Sequence, residues 1–242
     1  MKYQIDTIPV WEALEFDGSC MLCTLQAKTE AGEIDRTLGS SVMEPDVRVR
    51  TNEIGVCQKH QQMMFQVGNR LGHALLMDTH AEQVLVKLEK IKAQAVRGRD
   101  IDTAKLTESL RTLGERCVVC ENVQTHMLRY TYTLVYLWKT DPKFARRFSE
   151  SKGLCLPHAA DLIEAAQKQF NAQQRKEFAA LGLDLVQAQL SADETDLKWF
   201  TQKFDYKNKD KSWGNSKNAI ERTVNRLRGY CLGDLPYDKP KK

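Results

Sequence analysis

A Cys-x-x-Cys pair followed by a Gly-x-Cys-x-x-His motif occurs twice in this chain, and this repeat constrains the fold more than any other feature. The pairs read CMLC at 20–23 and CVVC at 117–120, and the second motifs read GVCQKH at 55–60 and GLCLPH at 153–158. Thiol and imidazole groups at such spacings are the usual ligands of a metal ion in a reducing compartment. The fold is therefore expected to gather two sets of such side chains across long intervening segments.

The ligand types favour zinc, which takes four Cys or His ligands at tetrahedral corners. We predict one Cys₃His set from each copy of the repeat, and hence two Zn²⁺ ions per chain. The first set is Cys20, Cys23, Cys57 and His60, and the second is Cys117, Cys120, Cys155 and His158. Because protein would supply all four ligands, no position is left for a substrate, and this favours a structural site over a catalytic one.

Other uses of these cysteines stay open. An iron–sulfur cluster can accept three Cys and one His, although four Cys are usual. A thioredoxin-like dithiol is a further possibility, but no βαβ pattern surrounds either pair. The cysteines could also be unrelated core residues. Covalent haem attachment is excluded, because it needs His directly after the pair, and Thr24 and Glu121 stand there.

Composition describes an ordinary globular chain of 242 residues, with 28% charged residues and seven cysteines. No run of 18 or more apolar residues occurs, so no transmembrane helix is predicted. The first 18 residues contain acids and no apolar signal-peptide core. We therefore expect a cytoplasmic protein with reduced thiols, in which cysteines serve metal or redox chemistry.

Apolar residues recur every three or four positions through most of the chain, and this spacing predicts an all-α fold. One such series is Met77, Ala81, Val84, Leu88 and Ile91, and a second runs from Val119 to Leu137. Alternation typical of a strand occurs only over VRVR, residues 47–50, which is too short to build a sheet.

The repeat predicts two helical halves. Cys20 and Cys57 are 37 positions apart, and Cys117 and Cys155 are 38 apart. Turn-forming and charged residues interrupt the helical pattern at 96–102 and 190–196. These breaks predict a first metal-binding half over 1–98, a second over 99–195, and a C-terminal basic extension over 196–242.

Charge is concentrated at the C-terminal end. The net charge is +4, and residues 203–242 carry eleven Lys and Arg against five Asp and Glu. A basic tail suits nucleic acid or an acidic partner, and it also simply keeps a protein soluble. Protein partners are expected, and nucleic acid is the weaker alternative because no recognition motif accompanies the tail.

Several polar residues outside the motifs are weaker candidates. Arg48 and Arg146 each lie nine positions before the third Cys of their copy, where they could offset the negative charge of a Cys₃His–zinc site. The simpler interpretation is that both are surface residues. His73 and His80 fall on one helical face, and we interpret them as satisfied, partly buried histidines.

Two further side chains lie outside the repeated motifs, and no motif typical of an enzyme occurs. His126 lies six positions after Cys120 and could replace a ligand, while Cys231 has no partner motif and is interpreted as a lone thiol. The sequence contains no nucleophile elbow, phosphate-binding glycine loop or dinucleotide fingerprint. An enzymatic activity therefore has no support beyond the metals.

Segments along nearly the whole chain resemble a family of uncharacterised bacterial proteins, catalogued as a domain of unknown function and found mainly in anaerobic Gram-positive bacteria. The segments are IPVWEAL, CMLC, GSSVMEPDVR, GVCQKH, YLWKTDPKF, SKGLCLPHAADL and KSWGNSKNAIERTVNRLRG. The resemblance implies a cytoplasmic bacterial protein and brings no activity with it. An anaerobic setting would favour an iron–sulfur cluster somewhat more.

Three functional hypotheses follow. The first is a metal-stabilised helical scaffold for interaction or regulation. The second is a redox- or metal-responsive protein with reactive thiolates or an iron–sulfur cluster. The third is a nucleic-acid-binding accessory protein that uses the basic extension.

Overall fold

The computed structural model describes residues 6–16, 18–97 and 100–233. Within these ranges the chain is α-helical and contains no strand, which confirms the predicted all-α class. The helices are α1 (Thr7–Glu15), α2 (Met21–Leu38), α3 (Pro45–Ile54), α4 (Gln58–Val67), α5 (Arg70–Ala95), α6 (Thr103–Glu115), α7 (Val118–Thr140), α8 (Pro142–Ser149), α9 (Leu156–Gln167), α10 (Ala172–Gln202) and α11 (Ala219–Arg228). No helix in the described ranges is both long and apolar enough to span a membrane.

Local sequence signals explain where several helices begin. Pro45 and Pro142 open α3 and α8, where the fixed backbone angle of proline suits the first helical position and its missing N–H costs nothing. The carboxylate of Asp141 accepts hydrogen bonds from the backbone N–H groups of Lys143 and Phe144, at 2.9 and 3.2 Å. A side chain that satisfies free N–H groups in this way typically stabilises a helix by about 1 kcal/mol.

The chain divides into two compact units. Unit 1 comprises the described residues of Met1–Lys28 and His126–Lys242, and unit 2 comprises those of Thr29–Thr125. Residues of α2 and of α7 therefore contribute to both units. The predicted halves, 1–98 and 99–195, follow the sequence repeat, and their boundaries differ from those of these units. The division into two metal-binding halves stays a prediction.

Unit 1 has a large aromatic core. Phe144, Phe148 and Phe178 are its largest fully buried side chains, and the ring centroids of Trp138 and Phe178 are 5.0 Å apart in an edge-on arrangement. Each fully buried Phe contributes about 1.5–3 kcal/mol relative to an exposed one. Leu14 of α1 packs in the same core, so the core extends from α1 to helices more than a hundred positions later in the chain.

Unit 2 buries far fewer apolar side chains. Those described as buried are Ile34, Leu38, Val42, Ile54, Met64, Leu76, Val118, Val119 and Val123. In α5, which has 26 residues, only Gly72 and Leu76 are buried, and no residue of α6 is. Hydrophobic burial alone therefore stabilises unit 2 less than unit 1, and a further source of stability is expected there.

The predicted helix break at 190–196 is wrong, because α10 runs without interruption from Ala172 to Gln202. The segment LSADETD contains neither Gly nor Pro, so nothing in its backbone opposes a helix. One of its acidic residues is buried in ion pairs: Asp193 is 4% exposed and lies 2.9 Å from Arg222 and 3.3 Å from Arg226. The boundary predicted at 195 thus falls inside a helix.

Candidate metal centres

The first turns of four helices present the repeated motifs. Cys20 and Cys117 immediately precede α2 and α7, and Cys57 and Cys155 are the N-terminal caps of α4 and α9. The second ligand of each motif follows three positions later, in the first helical turn. Side chains at a cap and three positions beyond it lie on the same side of the helix start. This geometry explains the repeated spacing of two residues between ligands.

The glycine two positions before the third Cys has a structural role in both copies. Gly55 and Gly153 have φ angles of 83° and 94°, which side-chain-bearing residues rarely adopt. A Cβ atom on Gly55 would lie 2.9 Å from Cε1 of His80, and one on Gly153 would lie 2.9 Å from the carbonyl oxygen of Leu185. Both turns therefore require glycine in order to present the next cysteine.

Unit 1 gathers Cys20, Cys23, Cys155 and His158, all of them buried. The Sγ atom of Cys155 lies 3.7 Å from that of Cys20 and 3.6 Å from that of Cys23. The Nδ1 atom of His158 lies 3.5, 3.4 and 3.2 Å from the sulfurs of Cys20, Cys23 and Cys155. The four side chains thus point their donor atoms at one small volume.

Unit 2 gathers Cys57, His60, Cys117 and Cys120 in the same way. The Nδ1 atom of His60 lies 3.2, 3.3 and 3.4 Å from the sulfurs of Cys57, Cys117 and Cys120. The sulfurs of Cys57 and Cys120 are 3.8 Å apart. This group matches that of unit 1 both in ligand types and in distances.

The predicted division of the eight residues into two sets is wrong, although the residues themselves are the ones that cluster. Each group combines the Cys-x-x-Cys pair of one repeat with the Cys-x-x-His pair of the other. The helices between the motifs differ in length: α2 has 18 residues and α3 has 10, and α7 has 23 and α8 has 8. At about 1.5 Å per residue, a shorter second helix does not by itself bring the chain back to the start of the first, which is consistent with the exchange.

The distances within both groups suit one tetrahedral ion. Zinc–sulfur bonds of about 2.3 Å and zinc–nitrogen bonds of about 2.0–2.1 Å imply sulfur–sulfur separations of about 3.8 Å and sulfur–nitrogen separations of about 3.6 Å. Three sulfur–sulfur distances are 3.6, 3.7 and 3.8 Å, the sulfur–nitrogen distances run from 3.2 to 3.5 Å, and all donor atoms of a group lie within 4.8 Å of one another. Because these separations are close to those around one tetrahedral ion, the residues present fit a single metal ion.

The acid–base properties of the groups indicate the same chemistry. Burial alone would raise the pKa of the Cys117 thiol, but hydrogen bonds with His60 and with backbone groups lower it to about 6. Burial and the neighbouring Cys117 raise the pKa of Cys120 to about 12. In unit 1 the pKa of Cys20 is likewise lowered, despite its burial, while hydrogen bonding to Cys155 raises that of Cys23. These opposed shifts reflect crowded thiolates, whose repulsion a divalent cation would remove.

A carboxylate supports the histidine of unit 2. Oε1 of Glu30 lies 2.8 Å from Nε2 of His60, on the side of the ring away from the sulfurs, and Glu30 also pairs with Lys59. Burial lowers the pKa of His60, but Cys117 and Glu30 outweigh it and raise the pKa to about 10. A carboxylate on the far nitrogen is the usual way to orient a metal-binding imidazole.

A buried arginine organises the surroundings of the unit 1 group. Arg226 is 4% exposed and donates hydrogen bonds to the carbonyl oxygens of Ser19, at 2.6 Å, and Leu154, at 3.3 Å. These two residues directly precede Cys20 and Cys155. Arg226 of α11 therefore holds together the two chain segments that present the ligands, and Asp193 balances its charge.

The two groups differ in exposure. All four residues of the unit 1 group are buried, whereas Cys120 is exposed and Cys57 is intermediate in unit 2. Solvent and small reagents can therefore reach Cys120 and in part Cys57, while Cys117 and the cysteines of unit 1 are shielded.

The weaker candidates lie outside both groups. Arg48 is half-buried and donates to the carbonyl oxygen of Leu75 at 3.3 Å, away from the ligands. Arg146 forms an exposed ion pair with Glu150, as the surface interpretation predicts. His73 lies 2.6 Å from Oε1 of Gln61, and Nδ1 of His80 lies 2.8 Å from the carbonyl oxygen of Asn52.

The last two candidates, His126 and Cys231, also have other surroundings. The ring of His126 stacks on that of Tyr130, with centroids 6.2 Å apart. The Cys231 thiol is exposed and is not a member of either group. This position agrees with the prediction that Cys231 is a thiol outside the metal-binding motifs.

Two supporting residues escaped the sequence interpretation. Glu30 lies in α2, ten positions after Cys20 and thirty before His60. No motif spacing connects it with His60. Arg226 is one of several arginines in the basic C-terminal region. Only the three-dimensional contacts distinguish these two from their neighbours.

Comparison with known proteins identifies relatives without a known activity. The sequence model of a family described as "Family of unknown function (DUF6062)" matches residues 1–234. An "uncharacterized 23.9 kDa protein in xynA 3'region" of Caldicellulosiruptor sp. (strain Rt8B.4) is 22% identical over 200 residues, covering 79% of this chain and 85% of the relative. No solved structure matches the chain significantly.

Proposed function

This chain belongs to the family of unknown function DUF6062, and we propose that it is a helical scaffold for interaction or regulation, stabilised by two structural zinc ions. The observation that carries the proposal is the pair of Cys₃His groups, in each of which the donor atoms lie within 4.8 Å of one another. Cys20, Cys23, Cys155 and His158 would hold one ion, and Cys57, His60, Cys117 and Cys120 the other. The cytoplasmic location stays a prediction.

Ligand spacing favours a single ion over a cluster. An iron–sulfur cluster places several irons and sulfides between its protein ligands, which pushes those ligands farther apart than two ligands of one ion. Sulfur–sulfur distances of 3.6 and 3.8 Å are those expected of two ligands to one ion, and they support the single-ion assignment. Among single ions, a tetrahedral set of three thiolates and one imidazole is typical of zinc.

A site closed by four protein ligands supports stability and not turnover. Four protein ligands complete the tetrahedron, so neither water nor substrate would have a coordination position. Each ion would also join segments far apart in sequence: Cys23 and Cys155 are 132 positions apart, and Cys57 and Cys120 are 63 apart. Closing such long loops restricts the unfolded chain considerably.

The interaction part of the proposal rests on α5 and α6. Leu85 and Val86 of α5 are 60% and 49% exposed, and Leu110 of α6 is 47% exposed. Such amphipathic helices usually bury an apolar face. Their exposed leucines are consistent with a protein partner.

Metal content tests the proposal. Tag-free protein, purified without added metal or chelator, is expected to contain two zinc atoms per chain by elemental analysis and by native mass spectrometry. Cys231→Ser is the matched control and should also contain two. Iron with acid-labile sulfide, or folded protein without metal, would refute the zinc assignment.

We expect Glu30→Gln to weaken one of the two sites selectively. The neutral amide cannot support the His60 ring as the carboxylate does, so affinity for one ion should fall roughly 10- to 100-fold. Competition with a chromogenic chelator measures both affinities. Asp35→Asn, an exposed change in the same helix, should leave both unchanged, and equal losses from the two variants would contradict the role of Glu30.

A second candidate function, a redox- or metal-responsive protein, is favoured by the exposure of Cys120. A hydroperoxide could join the thiolates of Cys57 and Cys120, whose sulfurs are 3.8 Å apart. Two thiolates and one hydrogen peroxide would give one disulfide and two hydroxide ions, and the zinc ion would lose two ligands. Unit 2 would then act as the sensor, and unit 1 would remain intact.

Mapping of the modified thiols after mild peroxide tests this second function. We expect oxidation at Cys57 and Cys120 with release of one zinc, reversal by a thiol reductant, and protection of Cys20, Cys23 and Cys155. The exposed Cys231 provides an internal measure of a thiol without metal. If peroxide leaves the thiols of both groups equally unmodified, the redox function is excluded.

A further inference from the structure

The segment between α10 and α11 carries the two most exposed large hydrophobic side chains among the described residues. Tyr206 is 81% exposed and Phe204 is 75% exposed. They lie in residues 203–213, which we name the lysine–aromatic loop. Aromatic rings are normally among the better-buried side chains, so two neighbouring rings left in solvent indicate a surface that contacts something else.

A buried lysine fixes the backbone of this loop. The ammonium group of Lys203, a residue that is 7% exposed, donates hydrogen bonds to the carbonyl oxygens of Asn208, Lys209 and Lys211, at 2.6, 2.9 and 2.6 Å. All three donors of the ammonium group are thereby used. The loop is therefore held in one shape before any ligand arrives, which lowers the entropy cost of binding.

Neighbouring aromatic residues support one of the exposed rings, that of Phe204. The ring centroid of Phe200 lies 5.5 Å from that of Phe204 and 5.6 Å from that of Trp213. The indole N–H of Trp199 donates to the carbonyl oxygen of Ser212 at 3.0 Å. Phe204 is thus positioned on one side and open on the other, as a stacking platform requires.

Lysines alternate with these rings. The ammonium groups of Lys207 and Lys211 lie 5.7 Å from the ring of Tyr206 and 5.9 Å from that of Trp199, and Lys209 is exposed between them. Asp205 turns its carboxylate back to accept the backbone N–H of Lys207 at 2.9 Å. Cations beside open rings match a ligand that carries both negative charge and flat aromatic groups.

We propose that the lysine–aromatic loop binds single-stranded nucleic acid, with bases stacked on Tyr206 and Phe204 and phosphates contacted by Lys207, Lys209 and Lys211. Stacking accepts any base, because every base has a π-face, and the lysines follow the backbone. Binding is therefore independent of sequence. An acidic peptide would satisfy the lysines but leave both rings unused, and a duplex would hide its bases.

Fluorescence anisotropy with a labelled oligothymidine or oligouridine of about 16 nucleotides tests this on the full chain. The double variant Tyr206→Ala, Phe204→Ala should bind at least tenfold more weakly. Both side chains are exposed, so thermal unfolding should stay unchanged. Tyr136→Ala, at a 42% exposed position on α7, is the matched control and should bind like the original protein.

Salt dependence measures the contribution of the lysines. Replacing Lys207, Lys209 and Lys211 with Gln should reduce the slope of log affinity against log salt by about 2, at about 0.7 per phosphate contact on single strands. The same change at Lys90, Lys92 and Lys105, exposed lysines elsewhere, should leave the slope unchanged. The proposal is overturned by absence of binding at about 50 mM salt, by equal losses from the control variants, or by polyglutamate or duplex competing as well as the single strand.

Discussion

Replacing Cys20 and Cys155 together with serine is expected to remove one of two proposed metal ions per chain, whereas replacing Cys20 and Cys57 together is expected to remove both. The first two cysteines belong to one group, and the second two belong to different groups. Either double variant removes two thiolates, so the number of lost ligands is matched. Native mass spectrometry of the soluble protein counts the remaining ions.

This comparison separates two arrangements that share the same eight ligands. If each repeat held its own ion, Cys20 and Cys57 would serve one site, and their joint replacement would cost a single ion. That result would contradict the exchanged pairing. Cys231→Ser, which changes an exposed thiol outside both groups, should retain two ions.

Cys57→Ser is expected to unfold unit 2. Structural zinc contributes on the order of 10–16 kcal/mol in small modules, while whole domains are stable by only about 5–15 kcal/mol. Unit 2 has few buried apolar side chains, and α6 has none, so its remaining interactions cannot replace such a contribution. Hydrogen-exchange mass spectrometry should show loss of amide protection in α4 and α5.

The matched control for this experiment is again Cys231→Ser, which should change the free energy of unfolding by about 0.5 kcal/mol or less. Amides of α9 and α10 report on unit 1, whose aromatic core does not depend on Cys57. Equal protection of α4 and α5 in the Cys57 and Cys231 variants would show that no ion stabilises unit 2.

The sequence was sufficient for the fold class and for the residues that cluster, but not for their pairing. Helical periodicity is a local signal, and the two apolar series that it picked out lie in α5 and α7. Which Cys-x-x-Cys meets which Cys-x-x-His depends on the path of the chain between them, which no local pattern specifies. The repeat suggested that each copy is self-contained, and the observed grouping of the side chains contradicts this.

Two further differences have the same origin in long-range contacts. The break predicted near Asp193 rested on a run of polar residues, and the arginines that pair with Asp193, Arg222 and Arg226, lie about thirty positions later. Glu30 and Arg226 support the two groups from segments that no local pattern connects to them. That the eight clustered residues bind metal stays a prediction.

Zinc K-edge X-ray absorption on the purified protein tests the central claim most directly. Two closed Cys₃His sites predict an average shell of three sulfurs at about 2.3 Å and one nitrogen at about 2.0–2.1 Å, without a short metal–metal distance. A spectrum dominated by oxygen and nitrogen ligands, or iron with a short iron–iron distance in place of zinc, would contradict the account.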